Sequence, residues 1–155
     1  AEAYGHICAY SCVRVDTVTG APTVDHWKPK EQYPDDAYEW DNYRFSCLTM
    51  NRRKGLDETL CDPFEVRDEW FLLDLVTFGL SPTPGLPEKL RCQVRRTIDV
   101  LELDLPPMRR RRERAWARFK GHPSRHTWKV LVEECPLVAR QYVRQRGMPP
   151  EAQPP

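Results

Sequence analysis

The stretch SRHTWKVLVEECPLVARQYVRQRG, residues 124–147, predicts two helices in succession. Ser124 is a favoured helix-capping residue ahead of an apolar periodic run, so the first helix should cover residues 125–134. Pro136 suits the first position of a helix, and the glycine that closes the stretch is a stop signal, so the second helix should cover residues 136–146. The C-terminal part of the chain is therefore expected to be helical.

Three further helices are predicted upstream of this stretch. Asp62 and Pro63 provide a cap and a first helical position, and the apolar spacing that follows extends this helix to Gly79. Residues 88–104 have apolar side chains at helical spacing, and although their β-branched content also allows a strand, a helix is favoured. Residues 108–120 should form a short and very basic helix.

The first third of the chain is typical of β-structure. Residues 7–18 are rich in β-branched and aromatic side chains, residues 23–27 could return as a second strand, and residues 43–50 alternate again. The proline-rich and acidic residues 28–41 should form a loop between them. Strands followed by helices predict an α+β domain, in which the C-terminal helices cover one face of a small antiparallel sheet.

Six cysteines are spread along the chain without a Cys-x-x-Cys pair: Cys8, Cys12, Cys47, Cys61, Cys92 and Cys135. Their even number and wide spacing favour three disulfides, which would stabilise the domain, over a zinc site. If Cys8 and Cys12 lie on one strand, they are about 13 Å apart and must bond elsewhere. The pairing stays open, and the alternative is six buried thiols in a cytosolic protein.

The first residues bear on the compartment. Ala1–Tyr4 resembles the end of the Glu-Ala spacer of yeast mating-factor secretion leaders, which makes residues 1–4 a leader remnant; the alternative is that they are native. Residues 5–147 then form a single disulfide-bonded domain, and residues 148–155 form a flexible proline-rich tail. The sequence contains no signal peptide and no apolar run of the roughly 20 residues that span a bilayer, so we expect a mature secreted protein without a membrane span.

Charge is unevenly distributed, although the net charge is only +1. Residues 108–147 contain 12 Lys or Arg and 3 acids, a balance of +9. Residues 1–107 contain 12 basic and 19 acidic residues, a balance of −7, and Glu151 supplies the remaining −1. One interpretation is internal complementarity, in which a basic helical layer packs beside an acidic front region.

Two other interpretations give the basic region an external partner. Residues 108–147 could offer a face for nucleic acid or an anionic surface, where Trp116 and Phe119 either stack on bases or face the core, as aromatic residues three apart on a helix usually do. Alternatively, the tetrabasic run resembles a site for kexin-type or furin-type proteases, with cleavage after its last arginine and Cys135 tethering the fragment. The run consists of Arg109, Arg110, Arg111 and Arg112.

The sequence shows no strong catalytic motif. It contains no P-loop, no dinucleotide-binding glycine pattern, no nucleophile elbow and no metalloprotease motif, so we predict no catalytic residue, no cofactor and no metal site. His122 and His126 are four residues apart, but Pro123 and the capping Ser124 place His122 outside the helix. Surface or capping roles are therefore favoured over metal binding.

The segment Cys8-Ala9-Tyr10-Ser11-Cys12 resembles the Cys-x-Tyr-Thr/Ser-Cys opening of secreted fungal guanyl-specific ribonucleases. It also contains the Tyr-x-Cys motif found near the mature N-terminus of many secreted effectors of plant-pathogenic fungi. Tyr33-Pro34 and Tyr38-Glu39-Trp40 are similar to two further segments of the ribonucleases, although Asp35 stands where those enzymes carry a histidine. A ribonuclease would need an acid, a base and a cation, which Glu39, His26, His122 or His126 and the arginine run could supply.

The whole profile resembles small secreted cysteine-rich effectors of filamentous fungi. The resemblance implies a secreted, extracellular protein, with uptake into the host as an option, that binds a host protein and modulates immunity without catalysis. The expected binding residues are the aromatic side chains of a polar, proline-rich loop, Tyr33, Tyr38 and Trp40, together with the arginine run. The alternative is a small secreted ribonuclease or a ribonuclease-like RNA-binding protein.

Overall fold

The computed structural model describes residues 1–16 and 21–152, and in this part of the chain it contains five α-helices and two antiparallel sheets of two strands each. This confirms the α+β class, with two small sheets in place of the single predicted one. The elements are β1 Pro22–His26, β2 Tyr43–Cys47, α1 Leu48–Lys54, β3 Phe71–Leu73, β4 Leu80–Pro82, α2 Glu88–Val100, α3 Pro106–Gly121, α4 Arg125–Glu134 and α5 Pro136–Arg146. Short 3-10 turns cover Glu2–Tyr4, Pro34–Asp36, Trp40–Asn42 and Pro150–Ala152.

The first sheet pairs β1 with β2, from Pro22 opposite Cys47 to His26 opposite Tyr43. The two predicted strands are therefore present, but residues 48–50 belong to α1 and not to the strand. The chain turns into this helix because α1 folds back over β1 and buries the side chain of Lys54 there.

Residues 7–18 were expected to form a strand, and the described part of this segment does not. Ile7 and Arg14 make an isolated antiparallel bridge, and the backbone between them folds back on itself. Cys12 has a φ of 51°, and its N–H donates to the carbonyl oxygen of Cys8 at 2.9 Å. The two cysteines are therefore not separated by four extended residues. Residues 17 and 18, the end of the predicted strand, lie outside the described residues.

The helix predicted from Asp62 to Gly79 is wrong, because this region forms the hairpin of β3 and β4. The Asp62 carboxylate accepts hydrogen bonds from Nε and Nη2 of Arg44, at 2.8 and 2.7 Å. At the hairpin end, the Asp74 carboxylate accepts from the next backbone N–H groups, and Phe78 adopts a φ of 56°. Apolar side chains whose spacing suits a helix therefore supply a turn and two short strands instead.

The remaining helical predictions are largely confirmed. Residues 88–104 were expected to be helical, and α2 occupies most of that range. The basic helix predicted over residues 108–120 is α3, which begins at Pro106 because proline is tolerated at a first helical position. Both α4 and α5 have the predicted bounds, and the Ser124 hydroxyl accepts from the Thr127 N–H at 3.1 Å, as a cap should.

The second sheet lies between α2, which contacts β4, and α5, which contacts β3. Gln141 of α5 is buried, and its side-chain amide donates to the carbonyl oxygens of Asp68 and Phe71 while accepting from the Leu73 N–H. This one amide fixes the helix against the strand. Beyond α5, Pro149 is buried and the turn at Pro150–Ala152 contacts α4, so the described part of the predicted tail packs on the domain.

The structure does not show the predicted disulfides: all six cysteines are free thiols. Cys92 is exposed on α2, where its thiol donates to Oε1 of Glu88 at 3.3 Å. Cys8 and Cys47 are both buried, and a hydrogen bond between their thiols lowers the pKa of Cys8 and raises that of Cys47. Across residues 1–16 and 21–152, no helix has the combined length and apolar character that crossing a membrane requires.

Arg112 lies inside the molecule, with none of its surface exposed to solvent. Nη1 donates to the carbonyl oxygen of Phe78 at 2.9 Å, and Nη2 donates to that of Leu103. Burial lowers the pKa of this guanidinium. The side chain therefore joins α3 to the hairpin turn and to the connection between α2 and α3.

We predict that Arg112→Met lowers the free energy of unfolding by about 2–4 kcal/mol, because two buried carbonyl oxygens lose their donor. The matched control is Arg110→Met, which removes an exposed arginine from the same helix and should stay within about 0.5 kcal/mol of the original protein. Urea unfolding followed by circular dichroism measures both. Equal unfolding midpoints for the two variants would contradict the role assigned to Arg112.

Candidate functional site

Residues 28–42, which we call the aromatic loop, contain the three aromatic residues that were predicted from the sequence to bind a partner. Tyr38 is 91% exposed, Trp40 is 73% exposed and Tyr33 is 38% exposed. Large aromatic side chains are seldom left so open to solvent on a loop of a small domain. The structure therefore places all three at the surface, within one continuous segment.

The backbone of the aromatic loop is held by the buried amide of Asn42. Its Oδ1 accepts from the Lys28 N–H at 2.7 Å, and its Nδ2 donates to the carbonyl oxygens of Lys28 and Asp36 at 3.0 and 3.1 Å. An ion pair of 2.7 Å between Lys28 Nζ and Asp36 Oδ2 spans the same points. The two ends and the middle of the loop are thus tied together by one side chain.

The carbonyl oxygen of Ala37 provides a second anchor for the loop. The Tyr43 hydroxyl donates to it at 2.8 Å, and Nε2 of His26 lies 3.1 Å from it. The Trp40 and Tyr43 rings are nearly perpendicular, with 6.1 Å between the ring centroids, and most of the Trp40 surface stays open. The loop therefore presents its exposed aromatic side chains from a fixed backbone.

Three buried polar groups lie beneath this region, which we call the buried triad: Tyr10, Asp25 and Lys54. The Tyr10 hydroxyl donates to Oδ2 of Asp25, and Lys54 Nζ lies 3.4 Å from the same oxygen. Lys54 also donates to the carbonyl oxygen of His26 at 3.0 Å, directly below the aromatic loop. Burial raises the pKa values of both Tyr10 and Asp25. Each member is less than a tenth exposed, so we assign the triad a role in supporting the fold.

No local pattern in the sequence predicts the buried triad. Asp25 falls within the predicted strand of residues 23–27, and Lys54 follows the predicted strand of residues 43–50, with no motif that links the two. Their meeting depends on the helix α1 returning over β1, a contact across 29 residues of chain. A contact between residues so far apart in the chain cannot be predicted from the local spacing of residue types.

The four arginines of the tetrabasic run point in different directions. Arg112 is buried, Arg109 pairs with Asp104, and Arg111 pairs with Asp16 at 2.8 Å. Arg110 is exposed. The run does not form one basic face, and because Arg112 lies within α3, it offers a processing protease no extended segment there. Internal complementarity accounts for the pairs made by Arg109 and Arg111, since both acids belong to the acidic front region.

Trp116 and Phe119 face inward, as their spacing indicated. Phe119 is 4% exposed, and Trp116 packs on Tyr142 with 4.7 Å between the ring centroids. These rings form an aromatic cluster with Trp128 between α3, α4 and α5. They are therefore not placed for stacking on the bases of a nucleic acid.

The residues considered for ribonuclease chemistry are distributed over two regions. His26 and Glu39 belong to β1 and to the aromatic loop, whereas His122 follows α3 and His126 lies in the first turn of α4. His126 lines a shallow depression there with Trp128. Of these histidines, His26 is the one that contacts the aromatic loop, with its Nε2 3.1 Å from the carbonyl oxygen of Ala37.

No family model and no curated protein sequence matches this chain.

We predict that Lys54→Met destabilises the fold by about 3 kcal/mol, because Asp25 then keeps a buried carboxylate without its cation. The double variant Lys54→Met/Asp25→Asn should recover part of this loss, since the uncompensated charge is gone. Unfolding in urea measures both, and a double variant no more stable than the single one would contradict the pairing.

The pH dependence of the Lys54→Met variant follows from the pKa of Asp25, which burial raises and the Lys54 cation lowers, so that removing Lys54 raises this pKa further. A carboxyl group whose folded pKa lies above its unfolded value stabilises the fold when protonated, and this contribution is lost as pH rises through the folded pKa. The free energy of unfolding that Lys54→Met loses relative to the original chain should therefore be larger at about pH 8 than at about pH 4. A deficit that is constant with pH would show that lost packing, and not the charge of Asp25, causes it.

Proposed function

We propose that this chain is a non-enzymatic binding protein that contacts a partner protein through the aromatic loop. The observation that supports this is the exposure of Tyr38 and Trp40 on a backbone fixed by Asn42. Removing such apolar surface from water is worth about 25 cal/mol per Å² before the costs of association are subtracted. A loop that is already ordered loses little conformational entropy on binding, so one of those costs is small.

The surroundings of the aromatic residues indicate the chemistry of the partner. Four exposed acidic residues lie on the same loop: Glu31, Asp35, Glu39 and Asp41. Protein interfaces commonly have an aromatic centre and a charged rim. The centre contributes most of the affinity, and the rim orients the partner and raises the association rate. The partner surface should therefore offer an apolar pocket bordered by lysine or arginine.

The biological setting that we propose is that of a secreted effector of a plant-pathogenic filamentous fungus, which binds a host protein and modulates immunity. This rests on the Tyr10–Cys12 motif near the start of the chain and on the profile of a small, cysteine-containing protein. The proposed biological setting rests on resemblance to other proteins, whereas the aromatic loop is a physical feature of this chain. The two parts of the proposal can therefore be tested separately.

We predict that the triple variant Tyr33→Ala/Tyr38→Ala/Trp40→Ala binds proteins of plant extracellular fluid at least about 100-fold more weakly than the original chain. Saturable binding of the labelled chain, competed by the unlabelled chain, is the measurement. Val76→Ala is the matched control, because Val76 is 87% exposed on the hairpin turn and outside the loop. Unchanged binding by the triple variant, with an unchanged unfolding midpoint, would reject the aromatic loop as the binding surface.

A ribonuclease activity is the second candidate, because His26 contacts Ala37, two residues from Glu39, on the same loop. If this candidate is correct, the chain cleaves single-stranded RNA at some pH between about 4 and 8, and His26→Ala loses at least about 100-fold in rate. Cleavage that persists in His26→Ala would indicate a contaminating enzyme. Absence of cleavage over the whole range would remove this candidate and leave the binding proposal intact.

A further inference from the structure

An open cleft of about 710 Å³ lies between the N-terminal segment, α1 and α3, and we call it the arginine cleft. Six arginines line it: Arg14, Arg53, Arg110, Arg111, Arg114 and Arg118. Three acids line it as well: Asp16, Glu102 and Glu134. The aromatic loop contributes none of these residues, so the cleft is a separate surface from the proposed binding loop.

Each acid of the arginine cleft is paired with one of its arginines. The pairs are Arg111 with Asp16 at 2.8 Å, Arg118 with Glu134 at 2.8 Å, and Arg53 with Glu102. Six arginines against three acids leave a surplus of three positive charges among the lining side chains. The cleft is thus strongly basic in a chain whose net charge is +1.

Much of this charge comes from one row on α3. Arg110, Arg114 and Arg118 are four residues apart, so they follow one another along the helix at intervals of about 6 Å. Arg110 and Arg114 are exposed and form no ion pair with a described residue. Like charges at this spacing destabilise a helix slightly, so the row costs stability that the fold does not recover through these two side chains.

Part of the lining of the cleft is apolar, since Met50, Leu105 and Ala115 contribute to it. None of the described lining side chains is aromatic, so the cleft offers no ring on which a nucleotide base could stack. A single nucleic-acid strand usually needs such stacking in addition to a basic groove. The shape and composition therefore favour a compact anion over a strand.

We propose that the arginine cleft binds a small organic molecule that carries two phosphate groups. Each phosphate ester has a charge of about −1.5 to −2, so two of them balance the three surplus positive charges. Arginine is suited to phosphate because its planar guanidinium donates two parallel hydrogen bonds. The volume lies within the range of about 300–1,000 Å³ typical of small-molecule sites.

Isothermal titration calorimetry with inositol bisphosphate as the probe tests this proposal. The original chain should bind the probe at least about tenfold more tightly than inorganic phosphate, and binding should weaken as salt is raised. Arg114→Glu should weaken binding at least tenfold. The matched control is Lys120→Glu, which makes the same charge change on the same helix at an exposed residue outside the cleft, and it should change the affinity less than about twofold.

Three outcomes would overturn the proposal: equal affinity of the two variants, equal affinity for phosphate and the bisphosphate, or tighter binding of a single-stranded oligonucleotide than of the probe. Vesicles containing a bisphosphorylated inositol lipid form a second arm. Binding to these vesicles as well as to the free probe supports a lipid headgroup as the source, and binding to the free probe alone supports a soluble ligand. Equal unfolding midpoints for both variants would exclude misfolding as the cause of a lost signal.

Discussion

Arg112 holds the C-terminal half of the molecule in register. Its guanidinium reaches the carbonyl oxygens of Phe78 and Leu103, at two places where the backbone turns through the left-handed region, at Phe78 itself and at Glu102. Buried carbonyl groups without a donor are costly, so α3 must pack with this side chain inward. Helical geometry then directs Ala115 inward as well, three residues further on. The same geometry directs the arginines two positions to either side outward, into the arginine cleft.

A buried cation likewise organises the N-terminal half of the molecule. Lys54 is fully buried in α1 and connects the carboxylate of Asp25 to the backbone of His26, where the aromatic loop begins. Arg44 adds a second buried cation, which forms two hydrogen bonds with Asp62 and lies 3.6 Å from the Phe64 ring centroid. With strands of only three to five residues, neither sheet can fix its surroundings by ladder hydrogen bonds alone. Charged side chains that bind backbone and carboxylate oxygen atoms supply the missing constraints.

An element could be predicted from the sequence when the contacts that determine it join residues close together in the chain. The bounds of α4 and α5 follow from Ser124 and Pro136, which act on their own helix. The hairpin of β3 and β4 could not be predicted, because the contacts that decide it are distant: Gln141 reaches β3 from 70 residues away. The exposure of Tyr38 and Trp40 was predictable from a polar, proline-rich segment. Which arginine of the run is buried was not predicted, although Ala115 and Phe119 stand three and seven residues after Arg112 and mark that face of the helix.

The charge distribution gives the molecule two surfaces of opposite character. The aromatic loop has an acidic rim, and the arginine cleft has a basic lining, while the ion pairs of Arg109 and Arg111 cancel charge where the acidic and basic regions meet. At physiological ionic strength the influence of an exposed charge falls off over about 8 Å, so the local charge of a surface, and not the net charge of +1, decides which ligands it attracts. The ligands that we propose for the two surfaces therefore differ in charge: a basic partner protein at the aromatic loop and an anionic small molecule at the arginine cleft.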